Sequence, residues 1–263
     1  MWSAIPNALN AAAWTFLSLS ILKIRYDLVF ISLSAVFAWI FYTKDRLYPN
    51  QEDHVNNIDK VIWYQKHMKI PFIIIIPVCI TLLLLRYSII PIALTGTLLT
   101  FLYVHPIKIL KKKIIIKNVF LGKVVFTALL WLLLTVFFSY YYYGSTVSTF
   151  RLIQLSSYIF MIIGIQIIIN DIDDLVGDKK ATINTIPVLF GIEKTKIILY
   201  FIAICSMLIG WNMYPTINLI LFTVLIIIHI KSYSETYSYQ LKFLNGSLGY
   251  IAGIGLNPML MGF

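Results

Sequence analysis

Charge is scarce in this chain. Only 12% of its 263 residues are Asp, Glu, Lys or Arg, against about 25% in soluble domains, and this excludes an ordinary soluble fold. Cysteine is scarcer still. Cys79 and Cys205 both sit inside apolar stretches, where they read as small core residues and not as a disulfide or a thiolate nucleophile. There is no long linker, heptad repeat or low-complexity tract, so residues 1–263 are expected to form one domain. The first 25 residues lack a basic n-region, and no cleaved signal peptide is expected. Acids are few, eleven against 21 Lys and Arg, for a net charge of +10. Such a balance can indicate nucleic acid, but here apolar spans separate the basic residues. They read as topology determinants and as a phosphate-binding surface, with no nucleic-acid partner.

What the chain has in abundance is apolar surface. Hydrophobic residues make up 60% of it and the mean hydropathy is +0.85, as in a multi-pass integral membrane protein. Nine apolar segments stand out, near 4–22, 27–43, 70–85, 88–104, 119–143, 150–170, 196–211, 214–230 and 243–262. Some are shorter than the roughly 20 residues of a straight span, so their ends are soft. The expected fold is all-α, a polytopic bundle of nine transmembrane helices around a central cavity. With nine spans, the connections 44–69, 105–118, 171–195 and 231–242 share one side. They carry 16 Lys and Arg, counting Lys196 at the edge of the seventh segment, against Lys23, Arg25, Arg86 and Arg151 on the other. That asymmetry puts the N-terminus on the cytoplasmic side, with the cell membrane as the expected location. Tyr140 to Tyr143 close the fifth span on the opposite side, as an interfacial aromatic belt would.

Eight of the eleven acids fall in two of the cytoplasmic connections: Asp45, Glu52, Asp53 and Asp59 after the second span, and Asp171, Asp173, Asp174 and Asp178 after the sixth. If the sixth helix continues through Asn170-Asp-Ile-Asp-Asp-Leu-Val-Gly-Asp178, then Asp171, Asp174 and Asp178 lie within roughly 60° of one another on one face, and Asp173 points away. Like charges so close repel, and near hydrocarbon they are costly. A divalent cation removes both difficulties. Oxygen ligands with no neighbouring cysteine or paired histidine favour Mg²⁺, which keeps its waters and recruits phosphates. Two acidic segments on one side of a bundle suggest two walls of one polar cavity. An EF-hand is a poor alternative, since Gly177 is at the wrong offset and the twelfth position is Thr182. For the first cluster a second reading stands: Pro49 interrupts the helix, and Glu52 and Asp59 simply face water.

The basic candidates come next. Lys108 and the run Lys111 to Lys113 precede Lys117-Asn118 at the mouth of the fifth span. The triple lysine reads as a positive flank, whereas Lys117 is placed to turn inward and meet a diphosphate oxygen. Lys123, one or two turns deeper, needs an anionic partner or a route to snorkel. Arg46 can pair with Asp45 or grip phosphate bidentately.

These residues together resemble the UbiA superfamily of intramembrane prenyltransferases. The segment from Asn170 to Asp178, followed by Lys179, Lys180 and Thr185-Ile-Pro-Val-Leu-Phe-Gly191, is similar to the family's second aspartate motif and its trailing Thr-x-Pro-x-x-x-Gly. The spacing Tyr103, Lys108, Lys117-Asn118 is similar too. The first motif departs from the family's Asn-x-x-x-Asp-x-x-x-Asp: with Asp45 in the middle, Phe41 and Pro49 stand at the outer positions, as in a divergent branch with Tyr-x-x-Asp-Arg followed by Glu-Asp. The resemblance implies Asp45, Asp171, Asp174 and Asp178 as catalytic acids, joined by Asp53 as metal ligands. It implies Arg46, Lys108, Lys117, Asn118, Lys123, Lys180, Asn170 and Tyr42 on the substrate side. It implies Mg²⁺, an isoprenyl diphosphate donor whose tail lies among membrane lipids, and a lipophilic acceptor. Tyr42, Trp39 and Phe41 offer π faces to an allylic cation, or simply pack against neighbouring helices. Two other activities stay open: a membrane terpene cyclase working on the diphosphate alone, and a non-enzymatic carrier of anionic lipids, which would be expected to show inverted repeats.

Overall fold

The structure is a computed structural model and describes residues 4–49, 58–104, 107–109, 112–114, 116–143, 147–214 and 216–233. The long elements are helices: α1 (Ala4–Ile21), α2 (Leu28–Leu47), α3 (Ile58–His67), α4 (Lys69–Leu85), α5 (Ile90–Val104), α6 (Gly122–Tyr143) and α7 (Thr149–Asp173). The short α8 (Leu175–Lys180) and α9 (Ile186–Phe190) follow, then α10 (Ile192–Gly210) and α11 (Thr216–Ser232). Eight of the nine apolar segments therefore form helices, and the ninth, 243–262, lies outside the described residues. Among the described residues, three helices, α2, α6 and α7, are long and apolar enough to cross a membrane. A fourth span is added if the pair Val61–His67 and Lys69–Leu85, bent by 67°, counts as one. One departure from the all-α expectation is a small antiparallel hairpin, β1 (Ile107–Ile109) with β2 (Lys112–Ile114), in which Ile107 pairs with Ile114 and Lys108 with Lys113. Its β-branched isoleucines suit a strand.

The core forms around α7, whose apolar residues bury on several sides at once: Leu155, Ile159, Ile162, Ile165 and Ile169 are all inaccessible to solvent or nearly so. The helix packs between α6 and α10, α11 packs on α10, and α1 lies along α2 and against the middle of α6. Trp14 and Leu17 of α1 join the same core. By contrast α4 exposes Ile70, Ile73, Ile74, Ile80 and Leu84, large apolar side chains that a water-facing helix does not carry in such number.

One polar network fixes the directions of the helices. Asp27 caps α2, its Oδ1 accepting from the amides of Val29 at 2.8 Å and Phe30 at 3.2 Å. Its Oδ2 accepts from Arg86 Nε at 2.9 Å and Nη2 at 2.7 Å, just past α4, and from the hydroxyl of Tyr143, the last residue of α6. The start of α2 is thereby tied to the end of α6. The helices run antiparallel and rise about 1.5 Å per residue, so the end of α2, with Asp45, is carried to the start of α6, with Lys123. Tyr143, expected in an aromatic belt, thus has a specific partner as well.

Burial alone would raise the Asp27 carboxyl. The hydrogen bonds from Tyr143, Arg86 and the Phe30 amide outweigh it and hold the group below its ordinary value. A depressed carboxylate stabilises the fold above its unfolded pKa, and that stabilisation is lost as pH falls through the folded one. The thermal midpoint in detergent should therefore lose this contribution only below about pH 4. Asp27→Ala should lower stability by about 2 kcal/mol at neutral pH, through the lost cap and charge-assisted bonds. It should also flatten the acid limb of a melting-temperature profile. An unchanged acid limb in the variant would show that Asp27 does not control it.

Candidate active site

The site begins with a turn. After the hairpin, Ile116–Asn118 form a 3-10 turn. Leu121 then adopts a left-handed backbone (φ 59°, ψ −5°), which costs a non-glycine residue about 1–2 kcal/mol. Gly122 opens α6 so tightly against that turn that a Cβ on it would stand 2.1 Å from the Ile116 carbonyl oxygen. Lys123 is the next residue, and the turn aims it inward.

Across from it, α7 ends. Asp174 caps the helix and breaks it from α8, yet the backbone ladder runs through the break: Asp174 N donates to Asn170 O at 3.0 Å and Asp178 N to Asp174 O at 2.9 Å. The helix therefore does not continue smoothly, but the four-residue phase survives. Asp171 and Asp178 face the same way, at 0% and 1% exposure, while Asp173 and Asp174 are half-buried. Lys123 Nζ stands between the two buried acids, 2.7 Å from Asp171 Oδ1 and 3.2 Å from Asp178 Oδ2. The contact with Asp171 is the closer of the two, and that with Asp178 is an aligned hydrogen bond. Asp174 adds its charge to those of Asp171 and Asp178 at Lys123. The helix ends favour the pairing with Asp171. A lysine at the start of α6 and an aspartate at the end of α7 are each unfavourable to the helix dipole, and the antiparallel α6–α7 pair sets one against the other.

Tyr103, at the end of α5, connects this pair to the first acidic segment. Its ring stacks on Phe126 with centroids 5.3 Å apart. Its hydroxyl is hydrogen bonded to Thr127 and feels the charges of Lys123, Asp171 and Asp45 together. Asp45 is exposed, Arg46 half-buried, and α2 stops at Leu47, two residues short of Pro49. One turn before Asp45, Tyr42 accepts a hydrogen bond from Trp131 Nε1 at 3.3 Å, a crossbar between α2 and α6. Asn118 is half-buried beside the turn, and Asn170 and Lys180 are exposed at the ends of their helices. Lys108 and Lys117 are described by backbone position only, in β1 and the 3-10 turn. Asp53 and Glu52 lie outside the described residues. Phe126 and Trp131 had not been singled out as site residues, and Tyr103 had entered only through its spacing to Lys108 and Lys117. Phe126 carried a signal in its spacing, since it follows Lys123 by three residues on α6.

Mg²⁺ is bound through one or two carboxylates and substrate phosphates more than in all-protein cages. The arrangement fits that habit. Among the described residues no three His, Cys, Asp or Glu side chains come together as a metal cage. Asp171, however, offers buried carboxylate oxygens, one of them against the Lys123 ammonium, and every acid of the motif is a hard oxygen ligand.

A model of the UbiA prenyltransferase family matches residues 64–242. The match includes Lys123 and the whole acidic segment of α7 and α8, and it begins after the divergent first segment. No curated protein and no solved structure matches the chain at a significant level.

Proposed function

Because the chain belongs to the UbiA prenyltransferase family, we propose that it is an intramembrane, Mg²⁺-dependent prenyltransferase that moves an isoprenyl group from its diphosphate to a lipophilic acceptor. The observation that carries this reading is the Lys123–Asp171–Asp178 cluster, buried at the same end of the bundle as Asp45. On this reading residues 1–263 form one domain of nine spans. The site opens on the cytoplasmic side of the cell membrane, where the basic connections gather.

The reaction breaks the C1–O bond of the donor. The electron pair leaves with diphosphate, and an allylic cation remains. The acceptor's nucleophile then gives its pair to C1 and releases a proton. Asp171, Asp174 and Asp178, with Asp45 and Asp53 from the first segment, would hold Mg²⁺, which when bound neutralises charge on the leaving diphosphate. Lys123, Lys117, Lys108, Lys180 and Arg46, with Asn118 and Asn170, would bind and orient the diphosphate oxygens. Tyr42 would line the donor's path below them, with Tyr103, Phe126 and Trp131, as rings that exclude water from the cation.

Mass spectrometry of products tests this reading. Purified protein is given Mg²⁺ and donors of several lengths, with and without a membrane lipid extract. The expected result is a prenyl adduct that requires the extract and disappears with EDTA. A cyclised product made without extract would replace transfer by cyclisation. No turnover of any donor, with diphosphate binding intact, would favour a carrier.

A further inference from the structure

We propose that Lys123 is the resident counter-ion of the second acidic motif, and that it makes a divalent cation and a diphosphate bind as a pair and not singly. The inference rests on the metal–diphosphate reading above and adds an order of events to it. Three carboxylates act on Lys123, and two of them, Asp171 and Asp178, have no appreciable exposure. The ammonium stands within 3.2 Å of both, in the space where a metal held by them would have to lie. The Lys123 side chain is itself only 18% exposed, so it cannot simply withdraw into water.

Each ligand alone then meets an obstacle. A divalent cation must expel an ammonium from its two carboxylates and leave it buried without an anion, an expensive state. A diphosphate alone meets Asp171, Asp174 and Asp178 with one lysine between them. Arriving together, the cation takes the carboxylates and the diphosphate takes the lysine, whose flexible stem lets the head group pivot without moving α6. Such an exchange is a coupling free energy between two ligands, and it must be reciprocal. In the absence of ligand the same lysine keeps two buried carboxylates from repelling each other. Lys123 is thus a positioning residue before the ligands arrive and a diphosphate contact afterwards.

The test is Mn²⁺ binding to the full chain, read by electron paramagnetic resonance in detergent, with and without inorganic pyrophosphate. Wild type is compared with Lys123→Met, Lys123→Gln and Lys123→Arg. Mn²⁺ alone is expected to bind the two neutral variants about tenfold tighter than wild type, within the range of ordinary site coupling. The gain that pyrophosphate confers is expected to shrink by a similar factor. Lys123→Arg keeps the charge and should stay with wild type. Equal or weaker binding of Mn²⁺ alone in the neutral variants would overturn the inference and leave the proposed function standing, provided wild type binds Mn²⁺ with pyrophosphate. No Mn²⁺ bound by wild type even with pyrophosphate would overturn the site and the inference together. Thermal shifts of wild type need no variant: Mn²⁺ and pyrophosphate should raise the melting temperature together by more than the sum of their separate effects. Merely additive shifts would also overturn the inference.

Discussion

Asp171→Ala is expected to be the most damaging single substitution at the site, through activity and stability together. It strips Lys123 of its closer partner and leaves an ammonium, mostly buried, with Asp178 in contact and Asp174 acting by charge. Breaking a buried ion pair from one side costs about 3–5 kcal/mol. Prenyl transfer should fall by about 100-fold or more, the usual consequence of removing a group that stabilises developing charge. Asp174→Ala and Asp178→Ala should also lose most activity. Asp173→Ala should be milder, since at helical spacing Asp173 points away from the face that Asp171, Asp174 and Asp178 share. Turnover at saturating donor and melting temperature, measured on all four variants, separate the effects. An Asp173→Ala enzyme as dead as Asp171→Ala would mean that the acids do not act as one face.

Gly122→Ala carries the second large effect and touches no charged group. The new methyl would lie 2.1 Å from the Ile116 carbonyl oxygen and 3.2 Å from its carbon, and backbone cannot rotate away as a side-chain tip does. The turn must open, at the expense of the bonds from Val119 N to Ile116 O and from Gly122 N to Val119 O. Overpacking of this kind costs about 1–3 kcal/mol. The larger consequence is positional, because Lys123 is the adjacent residue and a displacement of about 1 Å at a site can cost about 100-fold in rate. Loss of activity with the melting temperature little changed would locate the damage in the placement of Lys123. Full activity in Gly122→Ala would show that the turn does not set it.

The long apolar runs made the main helices legible, because a stretch such as 150–170 has no satisfactory structure near lipid other than a helix. What escaped the reading were elements whose cause is tertiary. Residues 58–67 looked like part of a polar connection, yet they form α3, which packs on α2, buries Val61 and Tyr64, accepts the Ala4 amide of α1 at the Tyr64 hydroxyl and meets α4 at a 67° bend. The face shared by the acids was conditional on a helix continuing through Asp178. The chain instead caps at Asp174 and restarts at Leu175 with the four-residue ladder kept, a break that sequence periodicity does not register. For Lys123 the sequence stated a need, an anionic partner, but not its identity. Only the antiparallel closure of α6 on α7 brings residues 123, 171 and 178 to one point. Asp27 was the least conspicuous acid in the chain, outside both clusters, and it proved to orient three helices. An isolated aspartate before an apolar run signals a helix cap, but nothing local signals the arginine 59 residues later.

One feature of α6 bears on how the protein tolerates change. Its middle, Leu133–Phe137, is π-helical, which is a helix holding one residue more than its regular winding accommodates. Upstream of that stretch the helix presents Lys123 to α7; downstream it presents Phe138 to Phe30 and Phe37, and Tyr143 to Asp27. The wide turn absorbs that residue, so deleting one residue between 133 and 137 would restore ordinary winding and leave both ends near their present facing, whereas a deletion in the regular turns between 124 and 132 would rotate one end by about 100° relative to the other. The chemistry at one end and the anchor at the other would stay in register in the first case and lose it in the second. In an alignment of relatives, a one-residue gap in this helix should therefore fall within 133–137 and not in the turns on either side.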